Sequence, residues 1–296
     1  MNMEKIQNLE NIEKKEKGSN VYINLKFIRH GERDLDGNLQ DLGREVTKVK
    51  AMESKLNDED FDLVKAIGSD AGPTVLVDGD QTMARSLETA HIYAKEVGKD
   101  KVGKSRRRSI LSYEGLIASI PYDHRAIYDS FIPSNFDSLS PKEKAEASKI
   151  ANQKTLEHLI GLDTGEANLF KKEVAGSFAY VIEYYARVAK RLKPDSKVLI
   201  PAGSHGGLME LLLQLAMVRN DNGNEVLGFS KLDEIGGDFD PSEAFSVFIE
   251  TNSKGDVKKF KLSFDNEKRP DGDIYLDANK LKELSEFYQS LHKEKN

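Results

Sequence analysis

The chain of 296 residues contains no cysteine, which excludes disulfides, thiolate metal sites and thiol catalysis. It also has no long hydrophobic run: no segment approaches the ~18 apolar residues that a membrane-spanning helix requires. The first twenty residues, MNMEKIQNLENIEKKEKGSN, are charged throughout and lack the apolar core of a secretory signal. The expectation is a cytoplasmic protein with no membrane partner. Positive charge is not in excess either, since 44 Lys and Arg stand against 50 Asp and Glu for a net charge of -6. Nucleic acid is therefore not an expected partner, because that binding usually needs a basic face. The one dense basic run, Lys104 to Arg108, reads as a solvated edge, with an anion-steering patch as the less favoured reading. No His and Asp cluster has metal-ligand spacing, and no cofactor is expected.

What is present is a regular alternation of apolar patterns. Hydrophobic residues make up 38% of the chain and charged ones 32%, a polar balance that still leaves enough periodic segments for a core. Val21, Ile23, Leu25 and Phe27 alternate as in a strand up to Ile28. A helix is expected from Asp41, with Val46, Val49, Met52 and Leu56 on one stripe. Leu63 to Ile67 and Thr74 to Val77 read as short buried strands. A second helix spans roughly 83 to 97, and a further strand is expected over Ser109 to Tyr113. The strongest helical pattern covers 176 to 193. Lys197 to Gly203 is the next strand, Leu208 to Val218 a buried helix, Ala244 to Glu250 with Val257 to Phe264 a hairpin, and a last amphipathic helix carries Leu281, Leu284, Phe287, Tyr288 and Leu291.

Strands alternating with helices predict an α/β sheet with helices on both faces. The expected organisation is a polar tail over residues 1–20 and a single domain over 21–296, carrying a helical cap insert at about 119–175. In such sheets ligands sit beyond the carboxyl ends of the strands. Both His30, in Arg29-His30-Gly31, and His205, in Gly203-Ser204-His205-Gly206-Gly207, fall at such ends. Arg85 opens a helix after a strand, where a guanidinium adds its fork of donors to the positive end of the helix dipole and favours a phosphate.

These motifs together resemble the histidine phosphatase superfamily, which includes the phosphoglycerate mutases and histidine acid phosphatases. Arg29-His30-Gly31-Glu32 is similar to the signature in which the histidine becomes phosphorylated. Leu39-Gln40-Asp41-Leu42-Gly43-Arg44 is similar to a leucine-threonine-x-x-glycine helix start, with Gln40 in place of threonine. Arg85, Thr89 and Ala90 match an arginine-alanine-x-x-threonine-alanine helix in which Ser86 replaces the first alanine. Ser204-His205-Gly206-Gly207 matches the second histidine motif, in the branch with glycine after that histidine. The match in order runs from about residue 22 to 265, leaving the insert and both ends uncovered.

The resemblance implies a three-layer sandwich with a mostly parallel central sheet, phosphoglycerate mutase-like, plus the helical cap. It also implies a phosphomonoesterase that works without metal on a small phosphorylated substrate. In this reading His30 is the nucleophile, Arg29, Arg85 and His205 bind phosphate, and a glutamate from another strand end donates the proton. Glu114 is the choice for that acid, with Asp123 in reserve and Glu32 behind it. His124 and Arg125 are candidates for contacting substrate, whereas His91, His158 and His292 read as structural or exposed. Asp36 stands where mutases carry an asparagine, which favours a phosphatase over the alternative mutase. The oddities at Asp36, Asp80 and Gln40 motivate a third reading, an inactive phospho-ligand binder. Pro201 is awkward in a strand and suggests a bulge that aims His205.

Overall fold

The computed structural model describes residues 16–34, 36–54, 56, 59–112, 123–221 and 223–293. Its centre is strand β1 (Tyr22–Arg29), whose alternation places Ile23, Leu25 and Phe27 on one face and Asn24, Lys26 and Ile28 on the other. Both faces are covered, so all six of these side chains are buried. β7 (Lys197–Ser204) runs parallel to β1 in unbroken register, from Tyr22 opposite Lys197 to Arg29 opposite Ser204. Beyond β7 lie the short parallel strands β2 (Leu63–Val64), β3 (Ile67–Gly68) and, at the edge, β6 (Arg106–Arg107). On the other side of β1 the sheet turns antiparallel: β10 (Ala244–Glu250), β11 (Phe260–Phe264), β12 (Ile274–Leu276), β8 (Met217–Asp221) and β9 (Asn224–Leu227).

Among the described residues seven α-helices flank this mixed sheet. One face carries α1 (Asp41–Glu53) and α2 (Arg85–Gly98), whose Ala51, Ala90, Tyr93, Ala94 and Val97 pack with Ile28, Val64 and Leu199. The opposite face carries α5 (Gly165–Ala189), α6 (Leu208–Ala216) and α7 (Ala278–His292). There Phe27 lies between Phe178 and Phe245, with ring centroids 5.1 and 5.3 Å away. Helices α5 and α7 cross closely because Gly176 has no side chain; a Cβ there would sit 2.5 Å from the Leu284 carbonyl oxygen. The result is the three-layer α/β arrangement expected from the sequence, although the parallel strands occupy only half of the sheet. The remaining helices, α3 (His124–Phe131) and α4 (Pro141–Gly161), pack on each other within the stretch read as an insert.

Several expectations need correction. Thr74–Val77 (β4) is not a buried strand but pairs with Gln81–Ala84 (β5) as a separate hairpin, leaving Leu76 65% exposed. Asp78 and Gly79, both at positive φ, form its turn and hold Asp80 beside them. Ser109 to Tyr113 is not a strand: Ser109–Leu111 is a 3-10 turn, the local strand is Arg106–Arg107, and Tyr113 lies outside the described residues. The helix expected at 176 already begins at Gly165, capped by Thr164, and ends at Ala189. Residues 17–20 are not free tail, since the Gly18 N–H donates to the Leu192 carbonyl at 2.9 Å and Thr251 Oγ1 donates to the Gly18 carbonyl at 2.5 Å.

Pro201 makes no bulge. Leu199 turns its carbonyl towards Lys65, and residue 201, two further on, faces the same way. The missing donor therefore falls opposite the gap between β2 and β3, where no ladder partner is needed.

Candidate active site

The site follows from strand register. Arg29 and Ser204 are paired in the parallel ladder, so the next residues, His30 and His205, leave adjacent strands side by side. Their ring centroids are 5.1 Å apart at an angle of 70°, close to the ~4.8 Å spacing of paired strands. The His30 N–H donates to the Ser204 carbonyl at 2.9 Å, which ties the two ends together.

Glycines let the backbone crowd around these ends. A Cβ at Gly31 would meet Leu39 Cδ1 at 2.8 Å and the Gly43 carbonyl at 2.9 Å, so the Leu39 and Gly43 motif acts by packing α1 on the loop that follows His30. Gln40 precedes that helix without a side-chain cap bond. A Cβ at Gly203 would lie 1.8 Å from the Ser86 carbonyl oxygen, which sets α2 directly against β7. Thr89 Oγ1 accepts from the Gly31 N–H at 3.1 Å and donates to the Arg85 carbonyl at 2.9 Å, joining helix and loop.

The tautomer of His30 is fixed by its neighbour. Its Nδ1 lies 2.8 Å from the Gly31 carbonyl, an acceptor only, so Nδ1 carries the proton and Nε2 keeps its lone pair. Burial, then the neighbouring His205 and Arg85, with a smaller contribution from Arg29, lower the His30 pKa well below the ordinary imidazole value. His205 is 8% exposed, and burial followed by Arg85, Arg33 and Arg29 lowers its pKa to about 3. Both rings are thus neutral at pH 7 amid three fixed positive charges. His205 Nε2 lies 2.9 Å from Ser69 Oγ and 3.3 Å from Ser86 Oγ. The serine that replaces the first alanine of the motif thereby gains a contact to the second histidine.

Arg29 crosses beneath Gly206, where a Cβ would lie 2.8 Å from its Nε and Cζ. Its guanidinium donates to the Phe239 carbonyl and, at 3.3 Å, to Asp238 Oδ2, while its buried Nε has no partner among the described residues. Arg85 donates to the Gly37 carbonyl at 3.0 Å, next to exposed Asp36. The loop that holds Arg29 is itself clamped. Glu210, fully buried and pushed up in pKa by that burial, accepts from the N–H groups of Gly207 and Phe239 at 2.7 and 3.0 Å. Arg269 donates to the carbonyls of Ile235, Gly237 and Asp238, and pairs through Nε with Glu243 at 2.8 Å.

His30, Arg29, Arg85 and His205 therefore come together, and Glu114 lies outside the described residues. Asp123 caps α3, accepting from the Ala126 N–H at 2.9 Å. Arg125 pairs with Asp129 at 2.9 Å and is 78% exposed. Glu32 is exposed and His124 partly buried. His91 is buried between Ser105 and Asp78, and His292 meets Glu173 at 3.0 Å, so neither is an exposed surface group; His158 is exposed. Sequence reading missed Arg33 and Ser69. Arg33 stands three residues after His30, and Ser69 follows the short strand Ile67–Gly68, both positions at carboxyl ends of strands where site residues gather. Among the described residues no three His, Asp or Glu side chains gather as a metal site.

Fold and site define a class: an α/β protein whose central parallel strands end in two neutral histidines beneath a cage of guanidinium groups. No family model and no curated protein matches the sequence. The structure is similar to phosphoglycerate mutase from Bacillus anthracis, at 19% identity over 81% of this chain and 92% of that one, with a TM-score of 0.39. It is also similar to mycobacterial glucosyl-3-phosphoglycerate phosphatase, at 16% identity over 84% and 100%, TM-score 0.40. A third is the phytase of Klebsiella sp. ASR1, at 8% identity over 93% and 86%, TM-score 0.36. These are distant likenesses of shape.

Proposed function

We propose that the protein is a phosphomonoester hydrolase of the histidine phosphatase type, acting on a small phosphorylated substrate through a phosphohistidine. The observation that carries this reading is the pairing of two neutral imidazoles, 5.1 Å apart, with Arg29, Arg33 and Arg85 acting on them electrostatically. A neutral imidazole with its proton held on Nδ1 offers Nε2 as a nucleophile at neutral pH without needing a base. The arginines stay charged at any working pH and match phosphate oxygens with paired donors.

In the first step His30 Nε2 forms a bond to phosphorus as the bond to the ester oxygen breaks in line. The leaving oxygen takes its proton from Glu114. Arg29, Arg33, Arg85 and His205 hold the three equatorial oxygens and stabilise the charge on them. A hydroxyl of Ser69 or Ser86 donating to His205 Nε2 leaves Nδ1–H to face the phosphate. In the second step water returns a proton to Glu114 and attacks phosphorus, the P–N bond breaks, and inorganic phosphate leaves with His30 neutral again. Glu114 enters this scheme from the sequence. Ser112, two residues before it, is buried, and Leu111 accepts from Ser204 Oγ at 3.1 Å beside His205. Helices α3 and α4 would supply the cap that selects the substrate.

The test is phosphate release from a panel of phosphomonoesters in the presence of chelator, comparing wild type with His30→Ala. Release that disappears in the variant, with radiolabel trapped on wild-type protein in an acid-labile bond, supports the reading. Isomerised phosphoester without free phosphate would make the enzyme a mutase. Release that survives His30→Ala would end the proposal.

A further inference from the structure

The basic run Lys104 to Arg108 plays no part in the histidine site. The structure gives its last two residues a different setting. Arg107 and Arg108 lie at the sheet edge, where β6 gives way to the 3-10 turn Ser109–Leu111, and line a cavity of about 530 Å³. That volume falls within the roughly 300–1,000 Å³ of small-molecule sites. The opposite wall is built from helices α5 and α7, which contribute Tyr180, Tyr184, Tyr185 and Tyr288. His292 and Lys293 close the end of α7.

Charge sets this cavity apart. Acidic residues outnumber basic ones in the chain, yet among the described residues no Asp or Glu lines the cavity. Arg107 donates to the Thr82 carbonyl and hydroxyl at 2.9 and 2.6 Å. Arg108 lies over the Tyr184 ring at 5.5 Å, and Tyr185 lines the same wall. None of these partners is negative, so among the described residues both guanidinium charges lack a carboxylate counterpart. By contrast, a smaller cavity is lined by Glu59, Asp60 and Asp100 beside Lys99 and Lys101, so its basic groups have carboxylates next to them.

The tyrosines complete the picture. Tyr180 and Tyr288 face each other at 6.0 Å between centroids, and Tyr184 meets Tyr185 edge-on at 5.2 Å. Tyr185 is buried in the wall, and the three accessible rings of Tyr180, Tyr184 and Tyr288 beside uncompensated arginines suit a ligand that is flat at one end and anionic at the other. A phosphate alone would use the arginines and leave the rings idle. We propose that this cavity is a second binding site, separate from the histidine pocket, for a small anion bearing an aromatic ring, of the chemical class of a nucleoside monophosphate.

The probe is AMP, measured by equilibrium dialysis on the full chain carrying His30→Ala, so that no histidine-dependent hydrolysis consumes it. Saturable binding is expected, weakened at least tenfold by Arg108→Ala and separately by Tyr184→Leu, and unchanged by Arg85→Met. Tyr184 is exposed, so its replacement leaves the fold intact, which circular dichroism would check. Binding lost in Arg85→Met and kept in Arg108→Ala would place AMP in the histidine pocket and overturn the proposal. No saturable binding at millimolar AMP would overturn it equally. Inorganic phosphate competing as strongly as AMP would remove the aromatic part of the claim. None of these outcomes depends on whether His30 is a catalytic nucleophile.

Discussion

At the scale of single residues, the two histidines differ from ordinary ones in the direction of their pKa shifts. An unfolded imidazole titrates near 6.5, whereas His205 in the folded chain titrates at about 3, through burial and then the nearby arginines. Below pH ~6.5 the unfolded chain takes up a proton that the folded site refuses. Stability should therefore be level above pH ~6.5 on account of this group and decline as pH falls from there towards 3. Urea denaturation across that window checks it, with His205→Gln expected to flatten the decline. The same lowering keeps His30 unprotonated, so the acid limb of kcat/KM should lie well below 6.5. Arg33 is exposed, which weakens its donors through solvation, yet its charge still acts on His205. Arg33→Ala should lower kcat/KM by about tenfold, less than the ~10²–10³ expected for a buried donor. It should also move the His205 pKa upwards, which NMR titration would read.

Among elements, the most instructive is the loop before β10 that holds Arg29. Arg269, 5% exposed, grips three of its carbonyls while pairing with Glu243 on β10's approach. Burial pushes the Glu243 carboxyl up, but Arg269 and the Asp240 N–H hold it below its ordinary value. Removing one partner of such a buried pair costs about 3–5 kcal/mol because the other charge is stranded. Arg269→Met should lower stability by that amount and raise the Ki of orthovanadate, since Arg29 loses its fixed carbonyl. The double variant Arg269→Met with Glu243→Met should recover stability but not the Ki. Recovery of both would reduce Arg269 to a structural role.

The whole molecule rests on two unequal cores, one on each face of the sheet. Phe178 sits in the larger one against Phe27 and is fully buried. Phe178→Ala should cost about 3–5 kcal/mol, seen as a lower urea midpoint. Because the histidines lie at strand ends supported by both cores, the residual folded protein should keep the KM of the proposed activity. A raised KM at full folding would mean that the site is not insulated from the larger core.

Much of this was legible in the sequence because it is local. Alternation in Val21 to Ile28 and Lys197 to Gly203 marks strands that are buried on both faces, and the glycines beside His30 and His205 mark places where backbones approach. The α/β class follows from such signals, and the company of Arg29, His30, Arg85 and His205 from the ordered motifs that carry the family resemblance. Other features were decided only in three dimensions. Thr74 to Val77 has the composition of a buried strand, yet its pairing partner is the next segment and not the central sheet. Ser69 and Arg33 carry only the weak signal of following a strand end, and Arg269 carries no local pattern that distinguishes it from a surface residue. Their roles depend on a parallel register between strands almost 170 residues apart in the chain, which aligns Arg29 with Ser204. Such contacts come from burial summed over the whole fold, so residue types declare what chemistry is possible, and tertiary packing decides which groups share a pocket.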